Sequence, residues 1–312
     1  MADSTEATGG RVVVLNPVSG AGDHGPQVRR LADEYGFDVV ETTEEEGAAP
    51  LTERASRRAS LVAACGGDGT INETVRGLVA ADALEDTTLG VVPAGTGNNF
   101  AGNIGVESIP QAFEVLVDGE ERQIDLGTAW ESATDEGRPF VNSCICGITA
   151  EASASTDHEQ KNRLGTLAYV LNGLREAQQF DPIPMRVHTS DDIETTWDGE
   201  AMMVLIGNGR RFPVEGATQA NMEDGLLDVA IIEDRPTFDL VGEEARRRLL
   251  DAEADHITRL RTPALQLAVR DDEPVSFSLD GEMLSANDLR LSVDRQCLGL
   301  RVGEAYEPAP GE

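Results

Sequence analysis

The chain has 312 residues and carries 57 Asp and Glu against 25 Lys and Arg, a formal net charge of −32. Such a length predicts about two domains of ordinary size. A hydrophobic content of 40% is enough to bury real cores rather than leave an acidic coil. The charge argues against sequence-independent binding to nucleic acid, which needs a Lys/Arg surface to displace counterions, and against a basic face docked on a membrane.

Lys161 is the only lysine; the other 24 basic residues are arginine. Acidic excess with almost no lysine is the composition of proteins that work in concentrated salt. At about 1 M the Debye length falls to about 3 Å and surface charges cease to repel. The plainer alternative is an acidic protein from a GC-rich genome, in which lysine codons are scarce. The halophilic reading predicts a cytoplasmic location. No stretch approaches the roughly 18 apolar residues of a membrane-spanning helix. The polar start, MADSTEATGGR, lacks a signal-peptide pattern and predicts a frayed tail over residues 1–10.

In chain order, RVVVL (residues 11–15) predicts a buried strand that ends in NPVSGAG. A helix follows from Pro26 to Tyr35, a strand from Phe37 to Glu41 and a helix over 51–59. LVAAC (61–65) predicts a strand ending in GGDGT, followed by a helix from Ile71 to Ala81. TLGVV (88–92) is a strand ending in PAGTGNNF, and 109–117 is helical. Apolar strands alternating with helices over short connections predict a doubly wound parallel sheet covered on both faces. After about residue 128 the pattern becomes β-rich, with two helical stretches at 164–178 and 237–250. This predicts a second, sandwich- or barrel-like domain over 129–303 behind an α/β domain over 11–128, with a short tail over 304–312. The final strand, LGLRV, fits either domain.

Cys65, Cys144, Cys146 and Cys297 lie in apolar runs without CxxC spacing, which predicts buried thiols rather than a zinc site or a disulfide frame. The four histidines form no metal pair; His24, the one near a motif, reads as a solvated loop residue. The lone lysine lies in QKNRLG, so no Walker A motif exists. Gly20-Ala-Gly22-Asp-His-Gly25 matches GxGxxG, but NPVS separates it from its strand, which argues against a dinucleotide fold.

Three glycine-rich loops (16–22, 66–70 and 94–98) leave the carboxyl ends of predicted parallel strands, where ligands bind in such sheets, and so should converge. In GGDGT, Gly66, Gly67 and Gly69 let an anion approach main-chain N–H groups, Thr70 adds a hydroxyl, and the helix start adds a positive dipole end. Asp68 is odd in an anion-binding loop unless a cation such as Mg²⁺ accompanies it. Gly95, Thr96, Gly97, Asn98 and Asn99 repeat the chemistry, as do Asn16 to Gly20. A plain polar turn is the competing reading of each loop alone.

NPxSG, GGDGTINE and PAGTGNNFA, in this order, resemble the diacylglycerol kinase catalytic family, which includes soluble bacterial lipid kinases and sphingosine kinases. Asn221-Met-Glu-Asp-Gly225-Leu-Leu-Asp228 and Asp280-Gly-Glu282 resemble its later acidic turn and DGE element, so the likeness runs over most of 11–303. The resemblance implies ATP held between the domains by Asn16, Pro17, Ser19, Gly20, Thr43, Gly66, Gly67, Asp68, Gly69, Thr70, Asn72, Glu73, Gly95, Thr96 and Asn98. It implies Glu282 as general base and Asp68 in a water–magnesium network. It also implies Mg²⁺ at Asp224, with the carbonyls of Asn221 and Leu226 beside it. For Glu282 and Asp224 an ordinary turn carboxylate is the competing reading, since D-G-E is good hairpin chemistry. Many relatives carry Asp where this chain has Asn99, Arg where it has Gly102, and basic residues where it has Asp23 and His24.

The expected activity is ATP- and Mg²⁺-dependent transfer of phosphate to a hydroxyl of a diacylglycerol-like or other lipid alcohol. An NAD kinase and a non-catalytic nucleotide-binding regulator are the alternatives. The expected partners are ATP and a lipid reached by transient peripheral contact at the inner membrane face, with no nucleic acid. Oligomeric state is not readable, and a homodimer is left open.

Overall fold

The computed structural model describes residues 9–131, 136–147, 182–190, 195–212, 218–233 and 257–310. The predicted helices at 164–178 and 237–250, Lys161 and residues 1–8 of the predicted tail lie outside the described residues. The chain divides into two compact units, one of residues 1–126 with 295–312 and one of residues 127–294. Among the described residues no helix is long and apolar enough to cross a membrane.

The first unit alternates strand and helix: β1 (Gly10–Leu15), α1 (Gly25–Tyr35), β2 (Asp38–Glu41), α2 (Ala48–Ser56), β3 (Ala59–Gly66), α3 (Asp68–Ala80), β4 (Thr88–Pro93), α4 (Asn99–Asn103) and α5 (Ile109–Asp118). The strands pair in the order β2-β1-β3-β4, all parallel. Val12 to Leu15 and Leu61 to Cys65 are buried on both faces, which is why these strands read as unbroken apolar runs. The edge strand β2 has exposed ends, Asp38 and Glu41, around half-buried Val39 and Val40 instead. Local signals set the helix ends. Ser108 accepts the backbone N–H of Gln111 at the start of α5, and Gly36, at φ 74°, closes α1 in the left-handed conformation. Helix α3 begins at Asp68, three residues before its predicted start, so the glycine loop runs directly into its first turn.

The second unit is antiparallel: β6 (Gly137–Phe140), β7 (Ser143–Gly147), β8 (Ile183–Thr189), β9 (Thr196–Gly207), β10 (Leu227–Glu233), β11 (Ile257–Thr262), β12 (Ala264–Val269), β13 (Val275–Leu279) and β14 (Glu282–Ala286). Strand β9 pairs with β8 through its first half and with β7 through its second, and β10 joins β9 to β11. The hairpin β13–β14 pairs with β7. Phe140, Val204, Ile206, Leu267, Phe277 and Leu291 sit in its core. Two long strands carry the chain across the boundary: β5 (Glu120–Glu131) and β15 (Asp288–Val302). LGLRV is thus the end of β15, whose Leu300 pairs in parallel with Leu89 of β4. In the last segment Tyr306 is buried.

Cys65, Cys144 and Cys146 are buried, and Cys297 is half-buried. Burial pushes the thiols of Cys65 and Cys146 up to about 12 and raises that of Cys144 as well. With a disulfide reagent at pH 8, the native protein is expected to react at no more than one thiol, Cys297, and at all four after unfolding. Rapid reaction of a second thiol in the native state would contradict this burial.

Candidate active site

Residues on β1, β3 and β4 place the three glycine loops side by side at the carboxyl ends of these strands. Asn16 donates its backbone N–H to Cys65 O at 2.9 Å, and Ala94 and Gly95 both donate to Gly66 O, at 2.9 and 3.1 Å. Gly20, at φ +55°, lies so near the third loop that an added Cβ would stand 2.6 Å from Ala94 O. A Cβ on Gly95 would stand 2.3 Å from the Cα of Gly67. The loops therefore meet through bare backbone, as their strand-end positions predicted.

Side chains tie the loops together. Asn16 donates from Nδ2 to Thr70 Oγ1 at 3.2 Å and accepts the N–H of Val18 on Oδ1. Asn98, at φ 44°, folds back on Gly95 with one hydrogen bond in each direction, both 2.9 Å. Asp68 accepts the backbone N–H of Asn99 at 3.3 Å and of Phe100 at 3.1 Å. Its carboxylate thus caps α4, which answers in part why an acid sits in this loop. Each carboxylate oxygen has further acceptor capacity, so the geometry still admits a water-bridged cation. By helix geometry the first N–H groups of α3 have no partner inside the helix, and Gly69 faces open space. A helix start of this kind, made of main chain, suits an anion.

Beside it lies a cavity of about 390 Å³ lined in part by Asn16, Thr43, Gly47, Ala48, Thr70 and Glu73, within the ordinary range for a small-molecule pocket. Among the described residues lining it, the charged ones are Glu44 and Glu73. Thr43 Oγ1 accepts the N–H groups of Glu45 and Glu46, shaping the turn that forms one wall. Glu73 Oε2 accepts the N–H of Ala48 at 2.6 Å and so caps α2. Of the other expected nucleotide residues, Pro17 lines the cavity, Thr96 is exposed at a loop tip, and the Asn72 side chain is buried in α3. His24 corrects the sequence reading. It is 7% exposed rather than solvated, and its Nε2 lies 3.0 Å from the carbonyl of Asn16, which pins the first loop.

In the second unit, Glu282 opens β14 directly after a two-residue turn, with Leu279 opposite it. Asp280 at φ 48° and Gly281 at φ 96° give the turn its left-handed conformation. Asp280 is buried, and its carboxylate accepts three backbone N–H groups: Val141 at 2.8 Å, Asn142 at 3.0 Å and Ser143 at 2.7 Å. Glu282 itself is half-buried. The hairpin that carries it is therefore anchored, not loose.

The turn before β10 holds Asn221, whose Oδ1 accepts the N–H of Glu223 at 3.0 Å, and Asp224, whose Oδ1 accepts the N–H of Leu226 at 2.9 Å. The other oxygen of Asp224 accepts a hydrogen bond from the guanidinium of Arg261. Burial pushes the Asp228 carboxyl up, against the pull of Arg261 beside it.

The diacylglycerol kinase catalytic domain family matches residues 11–129, and the YegS C-terminal NAD kinase beta sandwich-like domain family matches residues 142–302. The chain is 31% identical, over 81% of its length and 82% of the relative's, to "Probable lipid kinase YegS-like" of Stenotrophomonas maltophilia. It is 28% identical to "Diacylglycerol kinase" of Bacillus subtilis over 86% of this chain and 88% of that one. A crystal structure of a diacylglycerol kinase from Bacillus anthracis superposes with a TM-score of 0.69 at 16% identity, covering 96% of this chain and 98% of that one, which shows a shared fold. With glycine loops joined at strand ends and both halves matched, the chain belongs to the diacylglycerol kinase family of lipid kinases, phosphotransferases built from an α/β domain and a β-sandwich-like domain.

Proposed function

We propose that the chain transfers the γ-phosphate of ATP to a hydroxyl of a lipid alcohol, diacylglycerol or a compound shaped like it, in a Mg²⁺-dependent reaction. The observation that carries this reading is the backbone contact of the three loops beside the cavity. Phosphoryl transfer is mostly positioning and charge neutralisation, and this chain has almost no lysine to supply the second.

In this reading the adenosine end lies against Thr43 and Glu73, and the phosphates lie on Asn16 to Gly20, Gly66 to Thr70 and Gly95 to Asn98. Asn72 acts from behind, through the packing of α3. Magnesium, brought in with the nucleotide and held through water at Asp68, would spread the negative charge of the phosphates. Glu282 takes the proton of the acceptor hydroxyl, whose oxygen bonds to the γ-phosphorus as the bond to the β–γ bridging oxygen breaks and ADP leaves. The domains of this reading are 11–128 and 129–303, with the last strand returning to the first. The acceptor implies transient, peripheral contact with the inner face of a membrane.

The test is transfer of labelled phosphate from ATP to a total lipid extract, with NAD as a parallel acceptor and the product identified by mass. Label in a lipid is expected. Label in NAD alone, or in neither, overturns the reading. A charge of −32 also predicts how activity varies with salt. On vesicles containing anionic lipid the rate should climb between low salt and about 1 M KCl, as the Debye length shrinks toward about 3 Å. A flat or falling profile would show that surface repulsion does not limit docking.

A further inference from the structure

We infer that Arg261 takes the place of a divalent cation at the acidic turn of residues 221–228, so that the turn is closed by the protein's own charge. The family resemblance places Mg²⁺ at Asp224 with the carbonyls of Asn221 and Leu226. The residues present do not fit that ion. Asp224 lends one carboxylate oxygen to the N–H of Leu226 and the other to Arg261 Nη2. The same guanidinium reaches Asp228 Oδ1 from Nε at 3.2 Å.

The placement of Arg261 follows from strand pairing. Leu227 to Ile232 of β10 pair residue by residue with Thr262 to Ile257 of β11, which sets Arg261 directly opposite Asp228. Opposed residues of an antiparallel pair point to the same side. An arginine here is thus held between the two carboxylates by the register, while its planar fork suits two acceptors at once. The pair of acids is left with one net negative charge, too little to pull a strongly hydrated Mg²⁺ out of water. Gly225, at φ +76°, supplies the left-handed residue of the turn. A cation in this turn secures its shape, and here a side chain does that work.

The test needs neither ATP nor lipid, so its result is independent of the kinase assay. The full chain is melted in EDTA and in MgCl₂ at matched ionic strength. The native protein should show the same Tm in both. Arg261→Gln, which keeps a polar side chain but removes the charge, should melt lower in EDTA and regain stability with Mg²⁺. A hundredfold excess of the ion over its dissociation constant would be worth about 5–10 °C. Asp224→Asn added to Arg261→Gln should abolish that rescue. A native Tm that rises by this much with Mg²⁺ overturns the inference, and so does an Arg261→Gln protein that gains nothing from it. If Arg261→Gln does not fold, calorimetric titration of Mg²⁺ into the native chain and into Asp224→Asn decides: equal heats support the inference, and a heat lost with Asp224 overturns it.

Discussion

Glu282→Gln is expected to lower kcat for lipid phosphorylation by about 10²–10⁴-fold, the usual worth of a general base, and to leave Tm and nucleotide affinity near native values. The change keeps the size of the side chain while it removes the negative charge and replaces one carboxylate oxygen with an N–H₂ donor. It also leaves intact the three hydrogen bonds through which Asp280 anchors the hairpin. Steady-state kinetics with saturating ATP and a dispersed lipid reads this directly. A kcat within about threefold of native would remove Glu282 from the reaction, since that is too small for loss of a proton acceptor.

Asp280→Ala should unfold the second unit before it impairs any chemical step. Three buried N–H groups, of Val141, Asn142 and Ser143, would lose their acceptor together. Each buried donor left without a partner costs about 1–3 kcal/mol. Alanine is also disfavoured at the positive φ of 48° found there. A total of roughly 3 kcal/mol or more corresponds to a Tm lower by about 6–12 °C. Asp280→Asn should fall between, because an amide keeps one oxygen for Asn142 and Ser143, tolerates the left-handed turn, and turns an N–H toward that of Val141. Calorimetry of the three proteins orders them native, Asn, Ala. An Ala variant as stable as native would mean that water or a rearranged strand end supplies the missing acceptor. Two acids two positions apart are thus separated by readout: one moves kcat, the other moves Tm.

The parallel sheet was legible because its inner strands are buried on both faces, which leaves an apolar run with glycine at its end. Loop convergence followed from strand-end placement alone. Strand β5 was missed since its first third, Glu120 to Gln123, is charged and largely solvated, and β11 because ITRLRT alternates with arginine. Helix α4 has five residues and no periodicity to detect. The partners of Asp68, Glu73 and Asp280 lie 31, 25 and about 138 residues away in the chain. In so acidic a sequence nothing local separates a capping carboxylate from a solvated one. Arg261 was equally hidden, because only the register of β10 with β11 sets it opposite Asp228. His24 read as solvated among polar neighbours, whereas the fold turns it inward to the Asn16 carbonyl.

The contact of Gly67 with Gly95 limits how this kinase can be altered. Where the loops touch, the contact is backbone on backbone: a methyl group on Gly95 would collide with the neighbouring backbone, and one on Gly20 would meet the carbonyl of Ala94. A side chain at either glycine is expected to disrupt the packing of the loops. The wall from Thr42 to Ala48 is different, because Thr43, Glu44 and Glu73 face the cavity with ordinary side chains. Selection for a different nucleotide base, in nature or in the laboratory, should therefore collect its substitutions on that wall and leave the three glycine loops unchanged.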